Sequence, residues 1–200
     1  LAPLVEADED EVDLVEVVEE AYAVADSVAG YVLEQSAPYE QPVCAEGCVY
    51  CCYAPLEVSW AEAATIAAHL VAQLPRDGLE ALSQALLEHE EASDGLSGPE
   101  RYARGLPCPL LDRAAGRCMI YPLRPLRCRG ANSLSVEDCE RSCHDESAEI
   151  ELNGPVYETY LGAWRALARV CETLDLPAEP QPLSRALRTA LGACITAVED

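Results

Sequence analysis

The 200-residue chain has no lysine and no phenylalanine, and its one methionine is Met119 rather than an initiator, which leaves room for a removed N-terminal segment. No apolar run approaches the roughly 20 residues a membrane-spanning helix requires, so membrane insertion is not expected. Positive charge is scarce: 13 basic residues, all arginine, stand against 36 acidic ones for a net charge of -23. Such a chain repels phosphate, which argues against nucleic acid or an anionic membrane surface as its general partner. Gly-rich phosphate loops, nucleophile elbows and His-Glu-x-x-His helices are missing too, so the common catalytic frames are not available. No secretory segment is visible, and cytoplasmic placement is the expectation.

Cysteine, by contrast, is abundant. Eleven in 200 residues lie below the density of small disulfide scaffolds but far above that of an ordinary cytosolic enzyme. Nine fall between Cys44 and Cys143. Residues 1–75 hold 15 acids and no arginine, whereas residues 101–141 hold eight arginines against four acids. Arginines beside clustered thiolates would offset their repulsion and lower thiol pKa values. A disulfide framework fits less well, because nine is odd and nothing suggests an oxidising compartment.

Two hundred residues suit one domain, and the periodicity is helical. Over residues 11–35, Val12, Val15, Val18, Tyr22, Ala25, Ala29 and Val32 recur at three- and four-residue steps, predicting an amphipathic helix with an acidic outer face. Ser59 and Glu62 have capping-box spacing ahead of an alanine-rich helix that Pro75 stops. Further helices are expected over 78–92, 135–147, 155–174 and 183–198. Residues 93–109 read as irregular, and Pro122 and Pro125 prevent one regular helix over 118–130. No convincing strand alternation appears. The expected fold class is mainly α, a helical domain wrapped around a cysteine-rich centre with proline-rich loops. Its segments are an acidic N-terminal helix (1–40), a cysteine core (41–150) and a C-terminal helical pair (151–200).

Three blocks carry the chemistry. Cys44, Cys48, Cys51 and Cys52 have C-x3-C-x2-C-C spacing; on a helix, steps of four and seven would aim three sulfurs one way. Cys108, Cys118 and Cys128 are spaced ten apart on a proline-stiffened loop. Cys139 and Cys143 form an i, i+4 pair, and His144 could add an imidazole. Clustered thiolates select soft or borderline metals, meaning four sulfurs around zinc or four cysteines around an iron-sulfur cluster. Nine candidates allow two four-ligand sites. Arg124 and Arg129 beside Cys128, on a segment held by Pro125, are expected to offset the negative charge of such a site. Cys171 and Cys194, on apolar helices, read as packed core residues, as do Trp60 and Trp164; lone His69 and His89 read as packed or surface residues.

The ordered blocks C-x3-C-x2-C-C, Cys-Pro-Leu-Leu at 108–111, Gly-Arg-Cys-Met-Ile-Tyr at 116–121 and Arg-Pro-Leu-Arg-Cys-Arg at 124–129 resemble the YkgJ-type cysteine-cluster family. Its members are described as zinc- or iron-chelating and are related to flagellin lysine-N-methylases. The resemblance covers 44 to about 143 and implies chelation by Cys44, Cys48, Cys51, Cys52, Cys108, Cys118, Cys128 and Cys139, with Arg124, Pro125 and Arg129 in support. Gly130 departs from it, since members tend to carry an aromatic there. The spacing of Cys44, Cys48 and Cys51 is also similar to that of radical S-adenosylmethionine enzymes, but no strand series exists here to build their barrel.

The expected function is therefore that of a metal-binding protein holding zinc or iron, with a 4Fe-4S cluster the expected form if iron. It would act as a metal or cluster carrier, or as a metallated module whose acidic helix meets a protein partner. The alternative, by analogy with the methylase relatives, is an iron-sulfur enzyme using S-adenosylmethionine for protein methylation.

Overall fold

The computed structural model describes residues 12–199; the acidic residues ahead of Val12 lie outside that range. Helix α1 (Leu14–Gln35) begins where the Asp13 carboxylate accepts from the backbone N–H groups of Val15 and Glu16. It buries Val18, Tyr22, Ala25 and Ala29, four of the seven positions its periodicity selects, while Val12 is exposed. Helix α2 (Trp60–Gln73) starts at the expected capping box, Ser59 with Glu62, and α3 (Arg76–Ser93) follows at once.

The stretch read as irregular contains a short helix, α4 (Gly98–Ala103), nucleated by a second capping box between Ser97 and Glu100. Residues 118–130 divide as the prolines require: a 3-10 turn at Tyr121–Leu123, then α5 (Leu126–Gly130) after Pro125. Helix α6 (Val136–Ser142) is shorter than the expected 135–147 but is capped by Ser135. Helices α7 (Gly154–Thr173) and α8 (Leu183–Glu199) follow, α7 packing mainly on α1 and α5 and α8 on α2 and α3 rather than on one another. Among the described residues, strands are limited to two antiparallel ladders of two residues per strand: β1 (Glu57–Val58) with β4 (Gln181–Pro182), and β2 (Leu111–Asp112) with β3 (Arg117–Cys118).

Two apolar cores share α2. One joins Ile66 and Leu70 of α2 to Leu82 and Leu86 of α3 and to Leu187 and Leu191 of α8; Leu110 and Ile120 anchor the cysteine loop on it. The other joins Val18 and Tyr22 of α1 to Leu126 of α5 and to Leu167 and Cys171 of α7. Trp60 and Leu123 touch both. Cys171 is fully buried and Cys194 half-buried against the first core, as small apolar side chains would be.

The polar group between the cores is Glu62, which is wholly buried. One carboxylate oxygen accepts from Ser59 N and Oγ, both at 2.9 Å, and Ser59 Oγ in turn accepts from Glu62 N at 3.2 Å. The other oxygen accepts from Leu126 N at 2.8 Å and from the Tyr22 hydroxyl at 3.3 Å. One side chain thus caps α2, caps α5 and ties both to α1. Burial pushes the Glu62 carboxyl pKa up while these donors hold it down. Glu62→Ala leaves several buried donors without an acceptor and should cost about 3 kcal/mol. Exposed Glu80→Ala should change stability by less than about 0.5 kcal/mol. Urea unfolding of the two variants checks this, and equal midpoints would remove Glu62 from its central place.

Candidate metal centre

Local geometry places each thiol. The first cysteine block is not the helix its spacing suggests. Backbone turns at Glu46 and Gly47, with Gly47 at φ +97°, precede a 3-10 turn at Tyr50–Tyr53. Positive φ there favours glycine and breaks the helical phase. Cys44 accordingly points elsewhere: its thiol donates to the Ala131 carbonyl at 3.2 Å, and its sulfur accepts from Ser133 N at 3.2 Å. Cys48, Cys51 and Cys52 remain on the pocket side.

The ten-residue spacing of the second block is a hairpin. The Asp112 carboxylate accepts from Ala114 N and Ala115 N, Gly116 takes φ +63°, and β3 returns so that Cys118 pairs with Leu111. Cys108 N donates to the Cys52 carbonyl at 2.7 Å, joining the first two blocks through the backbone. Cys128 follows on α5. The result is one apolar pocket bordered by Cys48, Cys51, Cys52, Cys108, Cys118 and Cys128, with Leu110, Ile120 and Pro125 in its walls.

Cys139 on α6 and Cys143 just after it lie near Cys48 and Cys51, whose charges raise both thiols, and Cys139 in turn raises Cys44. Cys143 Sγ donates to the Tyr50 carbonyl at 3.8 Å. The His144 ring instead packs edge-on against Tyr102, with centroids 4.8 Å apart.

Electrostatics separates the thiols. Burial pushes Cys108 up to about 12 and Cys128 well above its ordinary value; neighbouring cysteines add to both. Cys118 and Cys139 are raised chiefly by burial, and Cys143 reaches about 11. Cys51 is the exception, lowered to about 7 because the Cys52 thiol donates to it and Arg124 attracts it. Within this pair the proton resides on Cys52.

Of the arginines expected in support, Arg124 acts on Cys51, Cys118 and Cys128 while lying over the Tyr121 ring at 3.8 Å. Arg129 turns away from the sulfurs. It pairs with Asp26 at 2.6 Å, lies over Tyr22 at 4.5 Å, and donates to the carbonyls of Pro122 and Arg124. Its role is to clamp the proline segment onto α1. Gly130 also finds its reason: a Cβ there would come within 3.2 Å of Tyr160 Cβ and 3.7 Å of Tyr157, so α7 supplies the aromatic surface.

Among the described residues, no group of three or more His, Cys, Asp or Glu side chains is already disposed to hold a metal ion. The sulfurs are gathered but not closed. The donor set nevertheless fits a soft or borderline metal: thiols that burial, and then neighbouring cysteines, hold protonated are those a cation would ionise and draw together. Residues 43–149 match the CxxCxxCC family, described as a putative zinc- or iron-chelating domain. The chain belongs to this family. It is thus a zinc- or iron-binding protein, with one more residue between its first two cysteines than the family's name carries. Comparison with curated proteins and with solved structures gives no match.

Two features escaped the sequence reading. The hairpin was legible in the Asp112-to-Gly116 turn, whereas the contact of Glu62 with Leu126 N, 64 residues away, had no local signal. In the metal-free protein at pH 7, iodoacetamide should alkylate Cys51 fastest. Arg124→Gln should slow that reaction severalfold by raising its pKa, and Arg129→Gln should leave it unchanged. Peptide mapping reads the rates; equal rates in Arg124→Gln and the parent would exclude this arginine from the thiol's environment.

Proposed function

We propose that the chain is a metal carrier that takes up zinc or iron, or an assembled iron-sulfur cluster, at the pocket of Cys51, Cys108, Cys118 and Cys128. The observation that carries this reading is the gradation of the thiols from surface to interior. Cys44 and Cys51 are exposed, Cys48, Cys52, Cys108, Cys118 and Cys128 are half-buried, and Cys139 and Cys143 are buried. An accessible thiolate suits exchange of cargo, and half-buried thiols beside it suit retention. Cys44, Cys48, Cys139 and Cys143 would supply a second set of thiols beside the first, Cys139 and Cys143 being buried. Bound zinc or iron supplies positive charge that ionises the surrounding thiols.

The partner surface on this reading is the outer face of α1. Glu16, Glu19 and Glu20 flank Val24, Val28 and Tyr31, all exposed, a pattern suited to a basic, apolar segment of a recipient protein. The second reading, an iron-sulfur enzyme with S-adenosylmethionine as methyl donor, is favoured by one observation: a larger cavity shares Cys52 and Cys108 with the thiol pocket.

Anaerobic purification with elemental analysis tests the ligand set. Cys118→Ser and Cys128→Ser should each lose more than half of the bound metal, and Cys171→Ser should lose none. Equal loss at Cys171 would contradict the assignment. A brown protein with charge-transfer absorption indicates iron-sulfur, and a colourless loaded one indicates zinc. Since Cys108 sits near 12 and Cys143 near 11, loading must release protons. Metal affinity should therefore rise from about pH 6 to about pH 8, by about a hundredfold over those two units for each proton released per metal. An affinity independent of pH would mean that thiols are not the ligands.

A further inference from the structure

A cavity of about 330 Å³ opens between the C-terminal end of α3, the start of α8 and the Cys52–Glu57 segment. Its volume is that of a small-molecule site, and its polar groups fall into two sets. Glu57 pairs with Arg127 at 3.3 Å, Glu90 pairs with Arg185 at 2.7 Å and Arg188 at 3.2 Å, and Asp94 also acts on Arg185. These charges satisfy one another.

The second set is not balanced. Arg101, half-buried, donates from Nε to the Leu96 carbonyl and from Nη2 to the Ser93 carbonyl, both at 3.1 Å. It has no carboxylate partner among the described residues. Beside it, His89 Nδ1 lies 2.8 Å from Ser184 Oγ and 3.4 Å from Ser93 Oγ, while His89 Nε2 is buried without any partner. An orphaned N–H is harder to bury than an orphaned lone pair. The favoured tautomer therefore has Nδ1–H donating to Ser184 Oγ, and this frees the Ser184 proton to donate in turn. Ser184 is the second residue of α8, a helix of 17 residues, so the positive end of the helix adds to the same field.

We propose that this cavity binds a small organic monocarboxylate, its carboxylate between the Arg101 guanidinium and the Ser184 hydroxyl and its apolar body against Leu56, Pro109 and Leu183. Arg101 faces the Cys108 thiol, which burial pushes up to about 12 and so holds protonated, but no carboxylate among the described residues, so one negative charge completes the site and a dianion exceeds it. The apolar wall favours a carbon-bearing ligand over a bare inorganic anion. None of the anion-binding groups belongs to the thiol set, so the site rests on the carrier reading only in leaving this cavity free of S-adenosylmethionine. Through Cys52 and Cys108 its occupant would rest against the back of the metal centre.

Titration of the full-length protein with benzoate, followed through the His89 ring resonances, tests the site, with inorganic phosphate as the comparison anion. Benzoate should give a saturable shift at one equivalent per chain, and phosphate should give none. Ser184→Ala should weaken benzoate binding at least about tenfold, the scale of one hydrogen bond to a charged group, and Arg101→Gln should weaken it further. Arg165→Gln on the remote α7 should have no effect. Arg101 also tethers two carbonyls, so Ser184→Ala provides the test if Arg101→Gln does not fold. Absence of a saturable benzoate shift, equal affinity in Ser184→Ala and the parent, or phosphate binding as tight as benzoate would each overturn the proposal. Metal content measured on the same samples separates this outcome from any failure of the thiol assignment.

Discussion

The buried carboxylate of Glu62 is the interaction on which the arrangement of the thiols depends. A charge with no water around it is tolerated only when several donors surround it, and those donors come from three separate parts of the chain: Tyr22 on α1, Ser59 at the start of α2 and the backbone of Leu126. Because Leu126 opens the five-residue helix that carries Cys128, the position of that sulfur is fixed by a hydrogen bond rather than by the helix itself, which is too short to persist alone. Arg129 reinforces the junction from the opposite side through Asp26 and Tyr22.

The same frame keeps the buried thiols protonated. Burial raises Cys108, Cys118 and Cys128, and neighbouring cysteines add to the effect, so that one ionised thiol opposes the ionisation of the next. A helical body with its own two apolar cores can hold such a set in proximity without collapse, and Leu110 and Ile120 pin the cysteine hairpin to one of those cores. What the frame does not do is close the sulfurs around a point. Its role is to remove most of the ordering entropy beforehand, so that the final approach of the ligands is left to the attraction of a cation.

The helices were legible because their signals are local: Ser59 with Glu62, the three- and four-residue steps along α1, and Pro122 and Pro125 dividing the cysteine segment. The first thiol block was misread as helical for a physical reason. Four- and seven-residue steps between cysteines satisfy a helix, but Gly47 at positive φ permits a turn that a chelating loop needs more. The α4 capping box at Ser97 and Glu100 was present in the sequence yet hidden among glycines and prolines. Arg129 shows the limit of reasoning from adjacency: it neighbours Cys128 in sequence and faces α1 in space. His89, read as an ordinary helix histidine, lines a cavity only because α8 returns Ser184 to it across 95 residues.

The central claim is that the gathered cysteines are the ligands of the metal. X-ray absorption at the zinc edge of the zinc-loaded protein reads the ligand shell directly. The account predicts a shell of about four sulfurs at about 2.3 Å. A shell dominated by nitrogen and oxygen at about 2.0–2.2 Å would contradict it.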